Sequence, residues 1–169
     1  KDPPKEIEKG LKIQRKYYTT TGEEVNLHGK KDLMQGDQFV VVIKGELLQK
    51  PSAEIINHML AVDWLPAGFE IDMEKLVVSP VVEEDKDQKA NRKLPWDELS
   101  KTLTTEARDD RFIAALELSN ETKSFTLAYR VRAITPGTYH VPGLHVEDMF
   151  MPSIYANTLS GLIEIKGRD

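Results

Sequence analysis

The chain has 169 residues, a formal net charge of -5 and no cysteine. A domain of roughly 150 residues buries about 68–70% of its unfolded surface, so one domain with a real core over residues 1–169 is expected. The acidic balance offers no basic field to a phosphate backbone and argues against nucleic acid as a partner; without cysteine, a disulfide frame, a thiolate metal site and a cysteine nucleophile are all excluded.

Lys1-Asp2-Pro3-Pro4-Lys5-Glu6 lacks the apolar core of a signal peptide, and no run reaches the ~18 apolar residues of a membrane span. The first strand pattern covers Leu11–Tyr18. Phe39–Glu46 follows, and its run Phe39-Val40-Val41-Val42-Ile43 is continuously apolar and mostly β-branched, which predicts a strand covered on both faces or at the centre of a sandwich. Met59–Trp64 is the next strand. Leu65-Pro66-Ala67-Gly68 breaks the pattern, and Phe69-Glu70-Ile71 resumes it.

Two stretches depart from β. Residues 83–93 (Glu83 to Lys93) carry no large apolar side chain to offset the entropy of ordering, and predict a mobile charged surface loop. Leu94–Leu103 then places Trp96, Leu99 and Leu103 at helical spacing, with Pro95, Asp97 and Glu98 in a first turn, and predicts one short helix packed on the sandwich.

Strand patterns return at Phe112–Leu118. They are clearest where Phe125, Leu127, Tyr129, Val131 and Ala133 alternate with Thr126, Ala128, Arg130, Arg132 and Ile134, the period of a strand with one face on a core. Thr135-Pro136-Gly137-Thr138 supplies type II turn chemistry, with Pro fixing φ and Gly free to take a positive one. Tyr139-His140-Val141 begins the next strand, and Leu162–Lys166 is the last. Short strands punctuated by Gly and Pro read as an all-β antiparallel sandwich.

Candidate chemistry is sparse. His140, His145, Glu147 and Asp148 lie within nine residues, but their spacing matches no compact zinc motif and Pro142-Gly143 leaves the direction of the two imidazoles open, so surface histidines are expected and no metal site is assigned. His58, in register with Leu60 and Val62, reads as a hydrogen-bonded core or edge histidine; His28 is isolated. Asp109-Asp110-Arg111 sets two carboxylates on opposite faces of a strand. That favours a turn cap and an ion pair with Arg111, Arg130 or Arg132 over acid–base work. There is no Gly-x-Ser-x-Gly. No catalytic residue and no cofactor are assigned. Met149-Phe150-Met151-Pro152 stands out because it sets apolar groups after an acidic pair, in a Pro-bounded stretch where a loop is ordinarily polar.

Several motifs in order resemble the C-terminal macroglobulin-like domain of bacterial alpha-2-macroglobulins. Gly10–Gly45, with Leu33-Met34-Gln35-Gly36-Asp37, looks like the entry strands of that domain. Trp64–Ile71 is similar to its Asp-Leu-Leu-Pro-Ala-Gly-Phe-Glu motif, and Asp109–Pro152 is the strongest portion. The resemblance implies a macroglobulin-like β-sandwich excised from a long protease trap, with the thioester carried by a separate helical domain of the same parent. It implies that Met149 occupies the thioester-shielding position of a Glu-Ser-Met-Tyr-type motif, with Phe150 in place of its Tyr. It further implies a periplasmic lipoprotein anchored to the inner membrane, target proteases met through the parent, and a penicillin-binding protein as an associated partner. A generic recognition sandwich binding a protein or glycan through its loops is the alternative.

Overall fold

The computed structural model describes residues 6–48, 54–72 and 93–168. The described strands are β1 (Ile7–Lys9), β2 (Leu11–Tyr18), β3 (Glu24–Val25), β4 (Gln38–Leu47), β5 (Asn57–Trp64), β6 (Phe69–Ile71), β7 (Thr104–Arg108), β8 (Arg111–Leu118), β9 (Ser124–Ala133), β10 (Gly137–Val141), β11 (His145–Asp148), β12 (Tyr155–Asn157) and β13 (Gly161–Ile165). They form a six-stranded sheet in the order β1-β12-β11-β5-β8-β7, a five-stranded sheet in the order β3-β2-β4-β9-β6, and the pair β10-β13. All these named strand pairs are antiparallel. Each strand read from the sequence is present, within two residues at either end.

The two sheets face each other across one core. β4 turns Phe39, Val41 and Ile43 inward, β9 adds Phe125, Leu127, Tyr129, Val131 and Ala133, and Met59, Ala61, Phe112, Ala114 and Leu116 meet them from β5 and β8. The expected breaks fall where the sequence set them. Gly68 lies under the Tyr139 ring, and a Cβ there would come within 2.4 Å of that ring. Its carbonyl also accepts the amides of Ile134 and Thr135 at 2.8 and 3.3 Å. Gly137 has a positive φ, 146°, but it is the first residue of β10 and lies far from the about +80° of the expected type II turn.

Within this apolar core the inward series of β2 and β5 each contain one charge. Arg15 follows Leu11 and Ile13, and Asp63 follows Met59 and Ala61, so the alternation that buries the hydrophobes also buries an opposite pair. Arg15 Nη1 donates to Asp63 Oδ1, the Tyr129 hydroxyl donates to Asp63 Oδ2 at 2.5 Å, and Arg15 Nη2 donates to the carbonyl of Pro142 at 3.0 Å. The network joins both sheets and the β10–β11 connection. Burial works against the charged guanidinium, but Asp63 and the flanking tyrosines outweigh it and raise Arg15 above its ordinary value. Burial pushes Tyr17 up to about 12 against the pull of Arg15, and raises Tyr129 as well, with Asp63 adding to it.

The helix expected over Leu94–Leu103 is absent. Asp97 Oδ2 accepts the Leu94 amide at 2.7 Å while the Asp97 amide returns to the Leu94 carbonyl at 3.2 Å, closing a turn that an acid side chain stabilises. The chain then runs extended from one sheet to the other. Ser100 N donates to Thr126 O at 2.9 Å and Leu103 N to Ala115 O at 2.8 Å, so backbone groups that a helix would use internally pair with β9 and β8 instead. Of the three apolar residues at helical spacing only Trp96 is buried; Leu99 and Leu103 are exposed. Trp96 covers the outer face of the five-stranded sheet over Val40, Val42 and Ala128, with the Tyr18 ring edge-on at 6.2 Å. That is why β4 is apolar on both faces. The one helical turn among the described residues is a 3-10 turn, Leu27–Gly29, where Asn26 accepts the His28 amide. Of the charged loop expected over residues 83–93, only Lys93 lies among the described residues.

Two outcomes follow from this packing. Trp96→Ala should cost about 3–5 kcal/mol in urea unfolding, because Trp96 is the fully buried aromatic that covers Val40 and Val42 although it lies in an irregular segment. A cost below 1 kcal/mol would mean that the strap is not part of the core. In alkali, Tyr17 holds its proton to about 12 in the folded state against about 10 when unfolded, so its contribution is complete below pH 10 and is lost as the pH rises toward 12. Roughly 2–3 kcal/mol should disappear over that window, read as a falling melting temperature together with late tyrosinate absorbance.

Candidate functional site

The segment that connects β11 to β12, residues 149–154, is the candidate site. It carries Met149, Phe150 and Met151 into solvent at 41%, 75% and 44% exposure. Alternation explains its root: Val146 and Asp148 point inward from β11, while His145 and Glu147 point outward. The acidic pair is thereby split, with Glu147 half-exposed and Asp148 buried.

Asp148 organises the turn. Its Oδ1 accepts the amides of Phe150 and Met151 at 2.9 and 3.1 Å, and its Oδ2 accepts Asn57 Nδ2 at 2.7 Å. The backbone closes the same loop: Asp148 N donates to Ile154 O, Ile154 N to Met151 O, and Met149 N to His58 O. The Phe150 ring meets the His58 imidazole edge-on at 5.1 Å. Three apolar side chains are thus displayed from a backbone with little freedom of its own.

The tip continues onto the outer face of the six-stranded sheet. There His58, Leu60, Val62 and Trp64 of β5 lie beside Ile113 and Ala115 of β8, and the Arg111 guanidinium stacks over Trp64 at 4.6 Å. His58, Leu60, Val62 and Ile113 are partly accessible. His58 is therefore neither a core nor an edge histidine: β5 is an interior strand, and the imidazole lies on its outer face 3.4 Å from Glu117. His28 reaches the Leu162 carbonyl at 3.2 Å.

The other candidates disperse. His140 is exposed on β10, outside the six-stranded sheet that holds His145, and His145 is engaged with Asn157 and, at 3.5 Å, Glu147. Among the described residues no three histidine or carboxylate side chains converge as a metal set. Asp109 and Asp110 form the two-residue turn between β7 and β8, and the ion pair expected for this cluster is Asp110 with Arg111, at 3.7 Å.

Sequence reasoning singled out Met149 and Phe150, and both are at the tip. It did not identify the support, Asp148 with Asn57, nor the buried pair Arg15 and Asp63. The inward phase of each of these residues was legible in its strand, but not which of them meet: Arg15 and Asp63 come together across the two sheets, and Asn57 and Asp148 through the pairing of β5 with β11.

Comparison with known proteins bears on this arrangement. The family of the bacterial alpha-2-macroglobulin MG10 domain matches residues 10–153. The alpha-2-macroglobulin of Escherichia coli K12 is 34% identical over 142 residues, covering 84% of this chain and 8% of that protein. A crystal structure of native E. coli alpha-2-macroglobulin from domain MG7 to the C-terminus superimposes with a TM-score of 0.75 at 27% identity, over 97% of this chain and 24% of the other. E. coli alpha-2-macroglobulin activated by porcine elastase gives 0.74 at 29% identity, over 98% of this chain and 14% of the other. The chain spans about 8% of the length of the curated relatives it matches. On the family match over most of its length, the chain belongs to the bacterial alpha-2-macroglobulins as an MG10 domain, a β-sandwich and not an enzyme.

Proposed function

We propose that this domain is a non-catalytic part of a protease trap, and that its β11–β12 tip covers the thioester of a neighbouring helical domain in the same polypeptide, with Met149 and Phe150 as the covering residues. The observation that carries this reading is the exposure of Met149, Phe150 and Met151 on a turn whose backbone is tied down. Apolar groups held rigidly in water favour an inter-domain contact, since the ordering cost of docking is already met.

The chemistry of the side chains suits the task. A thioester must be kept from water and amines until the trap is sprung, and a thioether beside a phenyl ring excludes both while offering no nucleophile or base. The chain has no cysteine, so the thioester it would cover lies in another domain. Phe150 stands where the resembled motif has Tyr, so its contact is purely apolar and supplies no hydroxyl. The partly accessible apolar face around Leu60, Val62 and Ile113 extends the surface available for packing. On the same reading the parent is a periplasmic lipoprotein. Porcine elastase, which activates the E. coli relative, represents the class of protease it would meet.

Met149→Ala separates an inter-domain role from a core role. In the isolated domain it should cost under about 1 kcal/mol in denaturant unfolding, whereas a buried Met truncated to Ala costs about 2–5. In a full-length thioester-bearing parent the same change should speed the release of free thiol by methylamine roughly ten- to hundredfold before any protease is added, the equivalent of losing one buried apolar side chain. An unchanged rate in the parent would remove the shielding role, and the generic recognition surface would then be the better account.

A further inference from the structure

Asp148 is 2% exposed and Asn57 4%, on an inner face whose other buried charge on β5, Asp63, is paired with Arg15. The Asp148 side chain is satisfied by three neutral N–H donors: the amides of Phe150 and Met151 and the Asn57 carboxamide. A carboxylate taken out of water is costly unless its hydrogen bonds replace hydration, and an apolar residue would fill the same space without that cost. What the carboxylate supplies that an apolar residue cannot is a fixed position for the next three residues. Two of its three bonds go to the backbone of the tip, and the third anchors it to the first residue of β5.

We propose that Asp148, with Asn57, is the positioning pair of the shielding tip: it sets where Met149 and Phe150 stand, and its loss unfastens the shield without removing any shielding side chain. This inference rests on the shielding role proposed above. The other described ties run elsewhere, Asp148 N to Ile154 O, Met149 N to His58 O and Ile154 N to Met151 O, so the amides of Phe150 and Met151 depend on the carboxylate specifically. A tip freed of it keeps its composition and its flanking strands and loses its direction. Asp148 is thus a positioning residue that never touches the bond it protects.

The test uses the full-length macroglobulin that carries this domain. Hydrogen exchange over residues 148–154, followed by mass spectrometry, should be roughly ten- to hundredfold faster in Asp148→Ala, the range implied by a hydrogen bond to a charged group, with β5 and β8 unaffected. Asp148→Asn should fall between, because its amide oxygen still accepts but without the charge. Thiol release by methylamine should rise in the same order, Asn before Ala, while Met149→Ala raises it without changing exchange at the Phe150 and Met151 amides. Unchanged exchange in both Asp148 variants overturns the proposal; if the Ala variant does not fold, unchanged exchange in the Asn variant does so alone. It is equally overturned if Met149→Ala accelerates thiol release and the Asp148 variants, having lost protection, do not. Faster exchange with no variant affecting thiol release, Met149→Ala included, supports the clamp and removes the shielding reading instead.

Discussion

Arg15 and Asp63 are the two opposite charges that the sandwich takes out of water together, and the way the sheets face each other depends on their meeting. Each sits in the inward series of its own strand, so a slip of one residue in β2 or β5 would turn that strand's hydrophobes outward and leave the other strand's charge alone in the core. Replacing both by packed apolar groups is often neutral or stabilising, whereas stranding one is strongly unfavourable. The pair therefore acts less as glue than as a penalty on wrong registers. Tyr129 and the Pro142 carbonyl extend the same constraint to β9 and to the turn before β11. The strand that carries Asp148 thus begins just beyond a segment fixed by the core.

Asp148 repeats that logic on a smaller scale. One inward polar group on each of two adjacent strands, Asn57 on β5 and Asp148 on β11, meets across the ladder and spends its hydrogen bonds on the backbone of a turn. The consequence is an exposed Phe and two exposed Met side chains whose backbone amides are all hydrogen-bonded. Exposed hydrophobes on a loose loop would be an aggregation liability; on a pinned one they are a surface that can fit a partner.

The five-stranded sheet has a different solution to its own outer face. Val40 and Val42 cannot be left in water beside Val41 without exposing a flat apolar stripe, and Trp96 on an irregular strap covers them. The strap is held by sheet-type bonds to Thr126 and Ala115, which bridge the two sheets. Ten residues of helix would have been marginal without burial of a whole face, and only one of the three candidate residues is buried.

Strands were legible in the chain because alternation is local: each residue of β9 or β5 states its own face by its neighbours two positions away. The breaks were legible because Pro and Gly restrict or free φ wherever they stand. Family motifs, carried as contiguous residues, identified the chain as a macroglobulin domain and pointed to Met149 and Phe150. The strap was misread because the spacing of Trp96, Leu99 and Leu103 is a helix signal that takes no account of the two sheets waiting for those backbone groups. His58 was misread because a phase shared with Leu60 and Val62 does not say which face is the core. The partnerships Arg15 with Asp63 and Asn57 with Asp148 join residues 48 and 91 positions apart. Local pattern thus determined which residues form strands and where they stop, while the tertiary structure alone decided which charges meet and which turn is held rigid, because hydrogen bonds between distant strands depend on register and sheet order that no local window contains.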